Sequence, residues 1–367
     1  MKLMCIAMML SSAAGFQFDL DANGCLINFD PAVDYFPPEL RAMVAEGGTM
    51  PTTVTFATDF SIDYHHTFKV LRNLKNGKVY VLHQCGAGDI STIAADLPAD
   101  AVDAPVFEVP VQSWSTGSTV PIAFMELLGL IGKAALIDPQ YASSACTQKL
   151  HQCGVIDTVV PGWPHTMYSA FANASRASGS TVHWTDDWGT GQAFSDIDVA
   201  FDSTSDPGAL ARVEWIKFVA AFFNLEPHAN RIFAEIKAEY DQTEAAAAAA
   251  LAAGTVAPKV LWISAASAWG PATISTVSYK MDLTAGAGGA TPPASELAAV
   301  CTDVATTLYV TDAHIAEGCT PDEGSRTQAA LDVADEGLVL CSANSHVAPA
   351  APSMEQTATS TSARWSR

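Results

Sequence analysis

The sequence predicts an α/β chain in two lobes, divided by a pair of consecutive helices. Three observations carry this expectation. Short strand-like runs alternate with helical stretches through most of the chain, and two helices after Asp206 follow one another with no strand between them. The 367 residues suit about two domains at roughly 150 residues each. Hydrophobic residues make up 49% and charged residues only 16%, which supports folded cores over most of the length. The formal net charge of -21 argues against a surface that tracks nucleic-acid phosphates or anionic lipid.

Residues 1–15 read as a secretory leader, with Lys2, an apolar run and then Ser11, Ser12, Ala13, Ala14 and Gly15. No later stretch is apolar for the roughly 20 residues that a membrane-spanning helix needs. Phe60, Ile62, Tyr64, His66, Phe68 and Val70 share one face of an alternating run, so residues 60–70 are expected to form a strand with His66 in the core. Asn76-Gly77 between two apolar runs is a hairpin signal. Residues 106–111 follow as a buried strand, then a polar stretch at 113–119, then a helix over 121–135 with Pro121 in its first turn. Further short strands are expected at 156–160 and 197–201.

Asp206-Pro207 suits a helix start, and Trp215, Phe218, Val219 and Phe222 follow at helical spacing. Pro227 opens a second helix through Ala229, Ile232, Phe233, Ile236 and Tyr240, continuing along the alanine tract to Gly254. Strands are expected at 260–264, 307–310 and 337–340, and residues 349–367 have the composition of a disordered tail. The resulting division is a leader at 1–15, an N-terminal lobe at 16–205, an interlobe helix at 206–224, a C-terminal lobe at 225–345 and a tail at 346–367.

With Cys5 removed in the leader, Cys25, Cys85, Cys146, Cys153, Cys301, Cys319 and Cys341 remain, an odd set for which disulfides are the default behind a secretory signal. Cys146–Cys153 is the preferred pair, with another among the three C-terminal cysteines. No Cys-x-x-Cys spacing supports zinc. Asn173-Ala174-Ser175 is a glycosylation sequon, meaningful in a eukaryotic secretory route.

Several short segments resemble the class III solute-binding proteins of ABC importers, which capture siderophores, haem and cobalamin. They are Val109-Pro110-Val111 with Ser118-Thr119, Glu126-Leu127-Leu128-Gly129, Glu214-Trp215-Ile216-Lys217-Phe218, Asn224-Leu225-Glu226, Pro258-Lys259-Val260-Leu261-Trp262, and Tyr279-Lys280 followed by Ala287-Gly288-Gly289. Phe60 to Tyr64, Tyr80-Val81-Leu82 and Gln84-Cys85-Gly86 look more narrowly like the branch that includes the cobalamin acquisition proteins of microalgae. The resemblance implies two Rossmann-like lobes joined by a rigid interlobe helix, with the ligand in a cleft between them. It also implies one acidic residue per lobe that docks on the permease; Glu126 lies near the first such region. After residue 340 the chain departs from the pattern, because family members continue with further strand and helix.

Candidate ligand contacts are Trp114, Ser115, Thr116, Ser118 and Thr119, placed by a strand end and a helix start, where hydroxyls and free N–H groups face outward. A second group is His183, Trp184, Asp186 and Trp188, two indoles with an imidazole and a carboxylate in one turn-rich stretch. Trp269 in a loop and Tyr279 complete the set, whereas Trp262 reads as core. The bland readings are helix capping for the first group and a loop around a buried Trp for the second. His65-His66 cannot chelate one ion, since adjacent strand residues face opposite ways. Asp19, Asp21, Asn23, Gly24, Leu26 and Asp30 match calcium-loop spacing, but an isolated pattern has a high false-positive rate and no metal site is assigned.

No nucleophile elbow, His-Glu-x-x-His or phosphate loop appears, so no enzyme activity and no cofactor are expected. The expected protein is a monomeric extracytoplasmic receptor, secreted, periplasmic or on the cell surface. It would capture a corrinoid or an iron complex for a membrane transporter, with no nucleic-acid partner. The candidate loops carry no Arg or Lys fork for an anionic siderophore, which puts a neutral corrinoid first. A metal-ion receptor using His183 with Asp186 or Asp187, a secreted serine hydrolase and a cell-surface interaction protein remain as alternatives.

Overall fold

The computed structural model describes residues 19–36, 52–138, 142–156, 168–185, 196–264, 273–274, 277–291 and 336–340. The leader, the 307–310 strand, Cys301, Cys319, Cys341 and the tail expected from the sequence lie outside them. The fold is mixed α/β with parallel sheets, as expected. Two compact units are present, one of residues 1–259 with 276–291 and the other of 260–275 with 292–367.

In the first unit, β1 (Phe60–Tyr64), β2 (Phe68–Asn73), β3 (Lys78–Gln84) and β4 (Val106–Val109) form one sheet in that order. The first two pairings are antiparallel and β3/β4 is parallel. The expected hairpin is present: Asn73 pairs with Lys78, Gly77 sits at φ 72° in the left-handed region, and the Asn76 side chain accepts from the Lys78 N–H. Residues 60–70, however, are two strands rather than one. The His65 N–H bonds the Phe68 carbonyl at 2.9 Å, reversing the chain, and Tyr64 pairs with Lys69. His66 therefore lies at a turn, its side chain 64% exposed and 3.9 Å from Asp34, and is not a core histidine. The alternation ran through the turn because Phe68 and Val70 resume burial on the next strand.

A second sheet holds β5 (Trp114–Thr116), β6 (Ala134–Ile137), β7 (Val182–Thr185) and β8 (Asp198–Ala200), all parallel, in the order β6-β5-β7-β8. Parallel sheets are covered on both faces, and almost every residue of β5, β7 and β8 is buried accordingly. Helix α1 (Val120–Leu127) connects β5 to β6, while α2 (Ala145–Gln152) and α3 (Tyr168–Ala177) lie between β6 and β7. The helix expected over 121–135 stops well short of that range. Gly129 takes φ 71° and the Leu130 N–H reaches back to the Met125 carbonyl at 2.8 Å, closing the helix and freeing residues 134–137 to form a strand.

Three helices follow: α4 (Ala209–Glu214), α5 (Ile216–Ala221) and the 27-residue α6 (Glu226–Ala252). Every residue of α5 is buried. Phe218 and the Phe222 that follows it meet Tyr80 and Phe107 of the first sheet and Trp184 and Phe201 of the second. The segment 206–224, expected as the interlobe helix, thus lies within the first unit, and a unit boundary falls after Lys259. Its apolar residues point in all directions because sheets flank it on two sides.

Buried charges fix this helix run. Glu214 accepts from the N–H groups of Thr55, Phe56 and Ala57 at 3.0, 2.6 and 2.7 Å and from Lys217 at 2.6 Å. Burial pushes its pKa up, but Lys217 and these N–H groups outweigh that and hold it below the ordinary value. Lys69 pairs with Glu226, and its ammonium also donates to the Ala221 carbonyl at 2.8 Å and the Asn224 side chain at 2.7 Å. Asn224 reverses the chain between α5 and α6 at φ 54°.

The second unit contains β9 (Val260–Ser264), β10 (Thr273–Ile274) and β11 (Glu336–Leu340), in the order β10-β9-β11. β10 is antiparallel to β9 and β11 is parallel to it, so the strands expected at 260–264 and 337–340 are present. Helix α7 (Ser278–Gly286) belongs to the first unit.

Among the described residues a disulfide joins Cys25 to Cys85, and Cys146 and Cys153 are free and exposed, which corrects the expected Cys146–Cys153 pairing. They stand at opposite ends of α2, separated by about 10 Å of helical rise. A disulfide requires Cα atoms within about 7 Å.

Candidate functional site

The second sheet places its candidate site by topology. From β5 the chain crosses to β6 on one side, then returns to β7 on the other, so the connections diverge between β5 and β7. Open α/β sheets bind ligands outside the carboxyl ends of the strands at such a point. Gly117, Ser118, Thr119 and the start of α1 leave β5 there, and Thr185 ends β7 beside them. The residues after Thr185, including Asp186, Asp187 and Trp188, lie outside the described residues, as does Trp269.

Several expected contacts belong to the interior instead. The Trp114 indole is fully buried and donates to the Leu130 carbonyl at 2.8 Å, so it packs under α1 rather than facing a ligand. Trp184 is also fully buried, 5.0 Å from the Phe222 ring and 5.9 Å from Phe201. Both indoles sit on strands covered on both faces, which gives a large ring no route to solvent. Ser115 is buried against His183. Thr116 accepts from the Ser118 N–H at 2.9 Å, and Ser118 accepts from the Val120 N–H at 3.2 Å. These two hydroxyls shape the turn into α1, and Ser118 takes up the first N–H of that helix, while Thr119 at its start makes no side-chain cap bond. Gly117 and Thr119 are the exposed members of the loop.

His183 is buried under the Phe171 ring, with centroids 5.1 Å apart. Its Nδ1 lies 2.9 Å from the Ser115 hydroxyl and 3.1 Å from the Ser175 hydroxyl, and Asp198 is its partner in the β7/β8 register. Burial lowers its pKa to about 4, against the opposing pull of the Asp198 carboxylate, so the ring is neutral at pH 7. Ser115, His183 and Asp198 are the residue types of a hydrolytic triad, but the hydroxyl is sealed inside the sheet, away from any substrate. The pairing of Ser175 with His183 was not legible in the sequence because it depends on how α3 docks.

Glu126 is half-buried and accepts from the hydroxyl of Ser144, which caps α2. The face of the Tyr279 ring is covered by the Arg212 guanidinium, 3.7 Å from the centroid. In the calcium-like segment, Asp21 accepts from the N–H groups of Asn23 and Cys25 and Asp19 accepts from Asn28, so these carboxylates stabilise a turn. Among the described residues no group of three or more metal-ligating side chains is gathered, and no helix is long and apolar enough to cross a membrane. Two open hollows lie elsewhere in the first unit. One of about 590 Å³ is lined by Thr52, Ser61, Asp63 and His65, and another of about 570 Å³ by Leu210, Tyr240, Glu244 and Asp282.

No protein-family model matches the chain, and no curated protein matches it. Among solved structures it is similar to the siderophore-binding protein BauB, bound to a complex of two acinetobactin molecules and ferric iron, at 12% identity and a TM-score of 0.40, covering 58% of this chain and 69% of that one. It is also similar to a periplasmic heme-binding protein from Pseudomonas aeruginosa, at 17% identity and a TM-score of 0.41, covering 64% and 85%. A third is the periplasmic heme-binding protein RhuT from Roseiflexus sp. RS-1, at 12% identity and a TM-score of 0.38, covering 64% and 78%.

Proposed function

We propose that the chain is an extracytoplasmic solute-binding protein that captures a bulky micronutrient, a corrinoid or an iron complex, for a membrane transporter. The observation that carries this reading is the parallel order β6-β5-β7-β8, whose point of divergence leaves Gly117 and Thr119 exposed at the carboxyl edge. The resemblance of the short segments to class III receptors points the same way. Contacts would come from Thr119 and the Gly117 main chain, joined by Asp186 and Trp188, which follow β7 in the sequence. Corrinoid stands first because the 117–119 loop offers a hydroxyl and main-chain groups without a cation. Glu126 is proposed as a transporter contact.

The metal-ion reading is weaker, because the His183 Nδ1 is turned toward two serines and its ring is buried. Calorimetric titration of the purified chain with cobalamin, a ferric hydroxamate, haem and divalent ions tests the proposal. Binding of cobalamin at micromolar or lower concentration is expected; heat from a divalent ion alone would replace the corrinoid reading with the metal one.

A further inference from the structure

We infer that Asn173 is a site of N-linked glycosylation and that the glycan is attached before α3 docks on the parallel sheet. Asn173-Ala174-Ser175 satisfies the acceptor pattern, and α3 carries all three residues. Among the helix residues whose burial is described, Phe171 and Ser175, one helical turn apart, are the buried ones. Asn173 lies midway between them in sequence, about 200° around the axis from each, and is exposed. A glycan on its amide nitrogen projects away from the sheet and displaces no core contact.

The order of events comes from Ser175. Its hydroxyl, which the sequon supplies for recognition, is fully buried and lies 3.1 Å from the His183 Nδ1. A transferase therefore meets a usable sequon only on a chain whose α3 has not yet packed. In the transfer, the Asn173 side-chain nitrogen attacks the anomeric carbon of a polyprenyl-diphosphate-linked oligosaccharide. The carbon–nitrogen bond forms as the carbon–oxygen bond breaks, the polyprenyl diphosphate leaves with the electron pair, and the amide proton passes to a base of the transferase. The inference rests on the extracytoplasmic reading in its eukaryotic secretory form; the Cys25–Cys85 disulfide supports an oxidising compartment, where such bonds persist.

The test is expression of the full chain with its own leader in a eukaryotic secretory host. Secretion, the oxidation state of Cys25 and Cys85, and the mass of the peptide carrying Asn173 are measured before and after peptide-N-glycosidase. Wild type and Ser175→Thr are expected to carry a glycosidase-sensitive mass shift, while Asn173→Gln loses it and keeps its thermal midpoint. Protein folded without a glycan, then incubated with transferase and lipid-linked donor, is expected to gain none. A secreted, oxidised chain with bare Asn173 overturns the glycan site and leaves the extracytoplasmic reading standing. A chain retained in the cytosol with reduced Cys25 and Cys85 overturns both, and modification of the folded protein overturns the proposed order.

Discussion

The neutral, buried His183 makes a prediction about acid stability whose size follows from its surroundings. An imidazole in the unfolded chain has a pKa near 6.5, whereas burial holds this one at about 4. Between those values the unfolded chain binds a proton that the folded one does not, so the stabilisation is complete above about pH 6.5 and is lost as pH falls through about 4. The full effect is on the order of 3 kcal/mol, and most of it is lost by pH 4.5. Carboxylates such as Glu214 add their own acid sensitivity, so the comparison is with His183→Gln, which cannot titrate there. Urea unfolding at pH 8 and pH 4.5 is expected to show wild type losing roughly 2–3 kcal/mol more than the variant. Parallel losses in the two proteins, or a His183 imidazole that titrates above pH 6 by NMR, would refute the reasoning.

Other perturbations probe the buried ion pair and the cysteines. Lys69→Met leaves Glu226 buried without its ammonium partner and is expected to cost about 3–5 kcal/mol in urea unfolding, while Lys69→Met with Glu226→Gln recovers a large part of that loss. Replacing Cys25 and Cys85 by Ser opens a link across 60 positions and is expected to cost about 4 kcal/mol by loop entropy, read as a lowered urea midpoint. Native protein treated with iodoacetamide is expected to be alkylated at Cys146 and Cys153 and protected at Cys25 and Cys85, as peptide mass mapping would record.

Local signals in the sequence were sound where structure is local. Asn76-Gly77 marked its hairpin, and the apolar runs at 260–264 and 337–340 marked strands that pair with one another. Longer-range outcomes escaped because their causes are distant in the chain. Glu214 and Glu226, within segments that carry the class III resemblance, are clamps for Thr55 and Lys69, 159 and 157 positions away. Nothing near Trp114 or Trp184 indicates that their strands are covered on both faces, so exposure was assigned to rings that the sheet encloses. The helix expected over 121–135 ended early because a single Gly129 in the left-handed region outweighs a continuing apolar pattern. The stretch 113–119, expected as a polar loop after the strand at 106–111, instead contains β5, because Trp114, Ser115 and Thr116 pair with β6 and β7 and are buried there. The hydroxyls within it that cap the turn could be separated from the exposed Thr119 only by their hydrogen bonds.

The claim that the carboxyl edge of β5 binds the solute is tested most directly by calorimetric titration of wild type and Thr119→Trp with cobalamin. Thr119 is exposed, so the substitution is expected to leave stability within about 0.5 kcal/mol. The account predicts micromolar or tighter binding by wild type and at least tenfold weaker binding by the variant. Equal affinity in the two proteins, or no heat from cobalamin with wild type, would contradict it.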